Sequence, residues 1–169
     1  YTNSEGYLIT PEVLPYGEYS LVEVQAPYGY ALDKTPVAFS VSLENAEKEN
    51  SLTIVKVEKQ NTAQKGKISV RKTGDIFTSV NMASSAYTAV EDIVTLDGTT
   101  RAYAGDVVSE ITTDENGYAE TEPLYLGKYE VREIKAPYGY VLNNEPKDVE
   151  LTYAGQEFEV RDTVNTAFE

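Results

Sequence analysis

The chain has 169 residues, a formal net charge of −14, and neither cysteine nor histidine. The absence of those two residue types removes thiol nucleophiles, imidazole bases, disulfides and most zinc or transition-metal sites, and the negative balance argues against nucleic acid or an anionic membrane surface as partner, since either needs a basic patch. Valine, isoleucine, leucine and 14 tyrosines supply the apolar surface, helix-period runs are absent, and an all-β chain of one or two domains is expected, with no metal and no cofactor.

In chain order, Glu5-Gly6-Tyr7 and Pro15-Tyr16-Gly17 read as turns leading into a strand over 19–24, which Pro27 and Gly29 stop. Residues 36–43 and 51–59 read as a hairpin joined by the acidic stretch Glu44 to Asn50, a solvated loop. The inward phase of the second strand runs Val55, Val57, Lys59 and reaches Asn61. Thr62 to Gly66 is short and polar, the best linker in the chain. A strand follows at 67–72, with Ile68, Val70 and Lys72 inward. Lysine is rarely buried without a partner, and a strand-end lysine usually extends its ammonium to solvent. Further strands are expected at 86–94 and 106–111, with Asp97-Gly98 as a turn signal between them. Asp114-Glu115-Asn116-Gly117 reads as a plain turn, because it lacks the spacing of a calcium loop. Strands at 128–134, 146–152 and 156–161 follow, and the last inward phase runs Val164, Thr166, Phe168. No apolar run is long enough to cross a membrane and no signal peptide is evident, so a soluble excerpt or mature segment is expected.

Two stretches organise this pattern. In Tyr129-Glu130-Val131-Arg132-Glu133, strand alternation points Tyr129, Val131 and Glu133 the same way, so an acid continues an apolar face. An ionised carboxylate is costly there unless a partner compensates it. Tyr19, Leu21 and Glu23 repeat the arrangement, and each strand is followed by Ala-Pro-Tyr-Gly-Tyr. Tyr19 to Val41 aligns with Tyr129 to Leu151 without gaps at an offset of 110 residues. Carried along the chain, that offset puts a counterpart of Lys72 before residue 1 and a counterpart of Asn61 near position 171. Asn165 is the only late asparagine, and it is out of phase with Val164 and Phe168 unless a bulge shifts the register. The sequence therefore reads as the C-terminal part of one domain (1–61), a linker (62–66) and a nearly complete second domain (67–169).

The pattern Tyr-x-(Leu/Val)-x-Glu-x-x-Ala-Pro-x-Gly-Tyr, present at Tyr19 to Tyr30 and Tyr129 to Tyr140, resembles the E-box of the Cna protein B-type, or SpaA-type, domains of Gram-positive surface proteins and pilins. Lys72, in Val70-Arg71-Lys72-Thr73-Gly74-Asp75, resembles the first-strand lysine of that family, and Asn61 its last-strand asparagine. The Gly-Ala-x-Phe stretch usual after the first strand is not recognisable at 81–87. The resemblance implies a tandem of antiparallel prealbumin-like β-sandwiches, Ig-like in broad architecture, with the first incomplete. It further implies an isopeptide bond between lysine and asparagine promoted by the glutamate. Lys72 would supply the amine, Glu133 and Glu23 the promoting acids, and Asn61 an acceptor; Asn165 is the minor candidate for a second acceptor, and no closed bond is expected within this chain.

Such a bond does the work of a disulfide in a chain without cysteine. A lysine among apolar groups loses its charged form preferentially, a buried acid can polarise the amide and shuttle protons, and folding supplies the proximity. It is a single-turnover event, so no enzyme is expected; no nucleophile, base and orienting group come together elsewhere. The implied function is a stalk or pilus-backbone segment, extracellular and associated with the cell wall or pilus. The alternative is an adhesin module that contacts a host glycan or matrix protein through exposed tyrosines of the 81–105 region. Expected partners are neighbouring domains of the same surface protein, with strand donation or self-association through the incomplete first domain.

Overall fold

The computed structural model describes residues 1–44, 47–49, 52–75 and 79–167, and their regular structure is entirely β. The first strands are β1 (Gly17–Leu21), β2 (Tyr30–Ala31), β3 (Val37–Val41), β4 (Glu47–Glu49), β5 (Leu52–Ile54) and β6 (Thr62–Ala63). Then come β7 (Lys65–Gly74), β8 (Ser84–Ala89), β9 (Ile93–Val94), β10 (Thr100–Ala102) and β11 (Val107–Thr112). The last are β12 (Tyr118–Glu120), β13 (Leu124–Tyr125), β14 (Gly127–Lys135), β15 (Lys147–Leu151) and β16 (Glu157–Asn165). The chain forms two compact units, one of Tyr1–Ala26 with Leu32–Asn61, the other of Pro27–Ala31 with Thr62–Glu169.

In the first unit β1 pairs antiparallel with β3, setting Leu21 opposite Val37 and Tyr19 opposite Phe39, whose rings stack with centroids 5.6 Å apart. Apolar residues thus meet apolar residues across the ladder, and this complementarity explains why β3 joins β1 rather than forming the expected hairpin with 51–59. The residues between make their own short hairpin, β4 with β5, inside what reads as loop and strand start. Asn45, Ala46, Asn50 and Ser51 of that stretch lie outside the described residues. Residues 55–61 lie outside the strands yet keep the expected alternation, with Val55, Val57, Lys59 and Asn61 partly buried and Lys56, Glu58 and Gln60 exposed.

The second unit is an antiparallel β-sandwich. One sheet has the order β11-β8-β14-β15; the other has β12-β7-β13, with β16 beside β7 in parallel. Ile68 and Val70 of β7 and Val160 of β16 pack against Tyr87 and Ala89 of β8, Tyr129 and Val131 of β14, and Val149 and Leu151 of β15. Each valine, leucine or isoleucine so removed from water contributes about 1.5–3 kcal/mol, which sets inward and outward positions firmly along each strand.

The stretch 62–66 carries strand pairing: β6 pairs with β2, Gln64 N–H donates to Gly29 O at 2.7 Å, and β7 has begun by Lys65. Two expectations change here. The strand expected at 86–94 is two strands, because Ile93–Val94 turns away to pair with β10 around Asp97-Gly98. That turn is closed by Asp97 Oδ1, which accepts from Thr99 N–H at 3.0 Å, and by Gly98 at φ 78°. Finally, β16 runs on past 161 to Asn165, with a register irregularity between Val160 and Thr163.

Candidate functional site

Alternation along β7 buries Ile68 and Val70 and carries on to Lys72, which is 2% exposed, with its side chain inside the sandwich. Alternation along β14 buries Tyr129 and Val131 and carries on to Glu133, which is 4% exposed. The two meet across the sandwich, with Lys72 Nζ 3.2 Å from Glu133 Oε1. Burial pushes the Lys72 amine below its ordinary range, and the charge and hydrogen bond of Glu133 pull the other way.

The third member is Asn165, and here the expected phase is overturned. Val164 is 42% exposed and Thr166 is exposed, while Asn165 is fully buried; Phe168 lies outside the described residues. The cause is the irregularity in β16: Val160 pairs with Val70, but Thr163 pairs with Lys72, so one extra residue intervenes and every later side chain changes face. Asn165 Nδ2 donates to Glu133 Oε1 at 3.0 Å, to Oε2 at 2.8 Å and to Val141 O at 3.1 Å. Its Oδ1 is buried without a hydrogen-bond partner. Asn143 N–H donates to Glu133 Oε2 at 2.7 Å.

The first unit holds a corresponding pair. Asn61 Nδ2 donates to Glu23 Oε1, and Asp33 N–H donates to Glu23 Oε2 at 3.0 Å. Among the described residues no lysine forms an ion pair with Glu23; Lys59 instead pairs with Asp33 at 3.2 Å. Asn61 and Asn165 therefore occupy equivalent places although they are 104 residues apart. The 110-residue offset fails past Val41 because 20 residues separate Val41 from Asn61 and only 14 separate Leu151 from Asn165. A signal in the sequence marks the correct alignment: Asn61-Thr62-Ala63 recurs as Asn165-Thr166-Ala167, and the structure bridges Tyr30 to Ala63 and Tyr140 to Ala167 alike. The E-box tyrosines also act alike, each hydroxyl donating to a carbonyl four residues earlier, Tyr19 to Pro15 at 2.8 Å and Tyr129 to Tyr125 at 2.6 Å.

The backbone around Lys72 is fixed by a turn. Lys72 N–H donates to Gly117 O at 2.8 Å, and Asp114 Oδ1 accepts from Asn116 N–H at 2.8 Å and Tyr118 N–H at 2.9 Å. No group of acids able to hold a metal ion occurs among the described residues. Of the tyrosines in 81–105, Tyr87 is fully buried in the core and Tyr103 is 63% exposed.

Repeated E-box strands, a prealbumin-like sandwich and a buried lysine, glutamate and asparagine define a modular all-β protein of the type found in Gram-positive surface structures. The model of the SpaA prealbumin-like fold domain matches residues 1–55 and again 47–165, and the chain belongs to that family. It is 42% identical over 43 residues to the trypsin-resistant surface T6 protein of Streptococcus pyogenes serotype M6, a match covering 25% of this chain and 8% of that protein. The solved structure of the Bacillus anthracis TIE protein is similar with a TM-score of 0.61 and 26% identity, over 91% of this chain and 26% of that one. The full-length major pilin SpaD of Corynebacterium diphtheriae is matched at 21% identity and a TM-score of 0.49, over 62% of this chain and 30% of that one. The chain thus spans less than a third of the length of each of these relatives. No helix among the described residues is long and apolar enough to cross a membrane.

Proposed function

We propose that this chain is a stalk or backbone segment of an extracellular surface protein or pilus, built of modules at 1–61 and 67–169, and that the second module is closed by an isopeptide bond between Lys72 and Asn165. One observation carries the reading: Lys72 from β7 and Asn165 from β16, the first and last long strands of the unit, reach the same buried carboxylate. Membership of the SpaA family and the name of one relative, a surface protein, support the setting at the cell surface.

The chemistry balances with the residues present. Glu133 takes a proton from the Lys72 ammonium, the neutral Nζ attacks Asn165 Cγ, and negative charge develops on Oδ1. Nζ gives up a second proton, Nδ2 gains one through Glu133, and the Cγ–Nδ2 bond breaks. Ammonia leaves, and one proton of the original ammonium stays on Glu133. Held groups of this kind reach effective molarities on the order of 10⁵ M or more, so a slow amide exchange becomes feasible once per chain. In the first module Glu23 and Asn61 are the corresponding acid and acceptor.

Intact mass spectrometry of the chain tests this. A mass lower than the sequence mass by about 17 Da, one ammonia, with Lys72 and Asn165 in a single branched fragment after digestion, is the expected result. A full-length mass would overturn it.

A further inference from the structure

The residue ten positions after each E-box glutamate makes two connections at once. Asn143 donates its N–H to Glu133 Oε2 at 2.7 Å, and its Nδ2 to Val164 O at 2.9 Å, on the strand that carries Asn165. Its Oδ1 accepts from Glu145 N–H at 3.2 Å, which fixes the orientation of the amide. In the first unit Asp33 donates its N–H to Glu23 Oε2 at 3.0 Å, while its Oδ2 lies 3.2 Å from Nζ of Lys59, two residues before Asn61. Asp33 Oδ1 accepts from Thr35 N–H at 2.8 Å, the counterpart of the Glu145 contact. Two different side chains, an amide and a carboxylate, therefore link the promoting acid to the asparagine-bearing segment by different bonds. A side chain that only filled space would not need to reproduce both links.

We propose that Asn143 is a positioning residue for bond formation, fixing Oε2 of Glu133 through its backbone and holding β16 through its side chain in the bulged register that turns Asn165 inward. Asp33 and Lys59 do the same in the first unit. Without the bulge Val164 would face the core and Asn165 the solvent, so a clamp on Val164 O guards the register on which the acceptor depends. The assignment rests on reading Lys72, Glu133 and Asn165 as a bond-forming site.

Cell-free synthesis of the full chain, followed by mass spectrometry at intervals, measures the rate of ammonia loss. Asn143→Ala keeps the N–H to Glu133 and removes the clamp on Val164 O together with the Oδ1 contact to Glu145 N–H, and it should slow the loss about tenfold or more. Asn143→Asp should be slowed similarly, and Asn143→Asp with Thr163→Lys, which transplants the Asp33 and Lys59 pair to the same positions relative to Asn165, should recover most of the rate. A merely structural residue would lower the melting temperature without this pattern of rescue. Equal rates in the wild type and Asn143→Ala would overturn the assignment. If the wild type itself loses no ammonia, the bond reading fails and hydrogen exchange of the Asn165 side-chain amide decides the clamp. Exchange about tenfold faster in Asn143→Ala would sustain the clamp, and unchanged exchange would sink it.

Discussion

Lys72 and Asn165 approach one oxygen atom: the amine lies 3.2 Å and the amide nitrogen 3.0 Å from Oε1 of Glu133. That shared contact makes the carboxylate the hinge of the site, and removing it has two separable effects. Glu133→Ala leaves Lys72 buried with no compensating charge, which should cost about 3–5 kcal/mol in urea unfolding. It also removes the proton carrier, so the variant should keep its full sequence mass. Glu133→Gln should be milder in stability and equally unable to lose ammonia; a lighter mass in either variant would contradict the role given to the acid.

Gly117 sits at φ 70°, and a Cβ placed there would lie 2.3 Å from Lys72 O and 3.1 Å from Val80 N. Both atoms are backbone, so nothing flexible can yield. Gly117→Ala should destabilise the second unit by about 1–3 kcal/mol and displace the strand that carries Lys72. Calorimetry would show the loss, and slower ammonia release would show the displacement.

The alkaline response should distinguish the closed chain from an open one. Burial lowers the Lys72 pKa in the folded state, so above that lowered value the unfolded chain holds more protons and stability rises with pH. Asn165→Ala, which has no acceptor, should gain stability with pH up to about 10, where tyrosine begins to oppose it. Burial raises Tyr87 and pushes Tyr129 up to about 12, so their unfolded forms ionise first. In a bonded wild type Lys72 no longer titrates, and unfolding at several pH values should lack that rise.

The first unit should answer to acid instead. Hydrogen bonds from Thr35, its side chain first and then its backbone, together with Lys59, lower Asp33 to about 2. A depressed carboxylate contributes stability above its unfolded value near 3.8, and that contribution is lost as pH falls through about 2. Asp33→Asn should remove this part of the acid response. Carboxylate titration by NMR would settle it, an ordinary value at Asp33 being the contrary result.

Much of this was legible from alternation alone. Ile68, Val70 and Lys72, and Tyr129, Val131 and Glu133, face inward as the period of two requires, because burial of the apolar members fixes the phase for the polar one that follows. Alternation alone misplaces Asn165, because a single extra residue between Val160 and Thr163 inverts the face of everything after it, and bulges leave no mark in a hydrophobic pattern. Offset arithmetic fails separately, past Val41 and Leu151, since loop lengths vary between copies at little energetic cost. The short Asn-Thr-Ala repeat was the better guide, being tied to the bridges that Tyr30 and Tyr140 make. Asp33 and Asn143 gave no such signal, for their shared role lies in geometry and not in a shared side chain.

The parallel pairing of β7 with β16 has a mechanical consequence. Tension applied at the two ends of the second unit enters β7 near Lys65 and leaves β16 after Asn165, pulling the paired strands in shear, so that their hydrogen bonds resist together and not one after another. A covalent link from Lys72 to Asn165 would pass the force directly from β7 to its neighbour β16 and leave residues 73–164 outside its route. At about 3.5 Å per extended residue, roughly 300 Å of chain would be withheld from stretching. The unit would then transmit a pull nearly as an inextensible link.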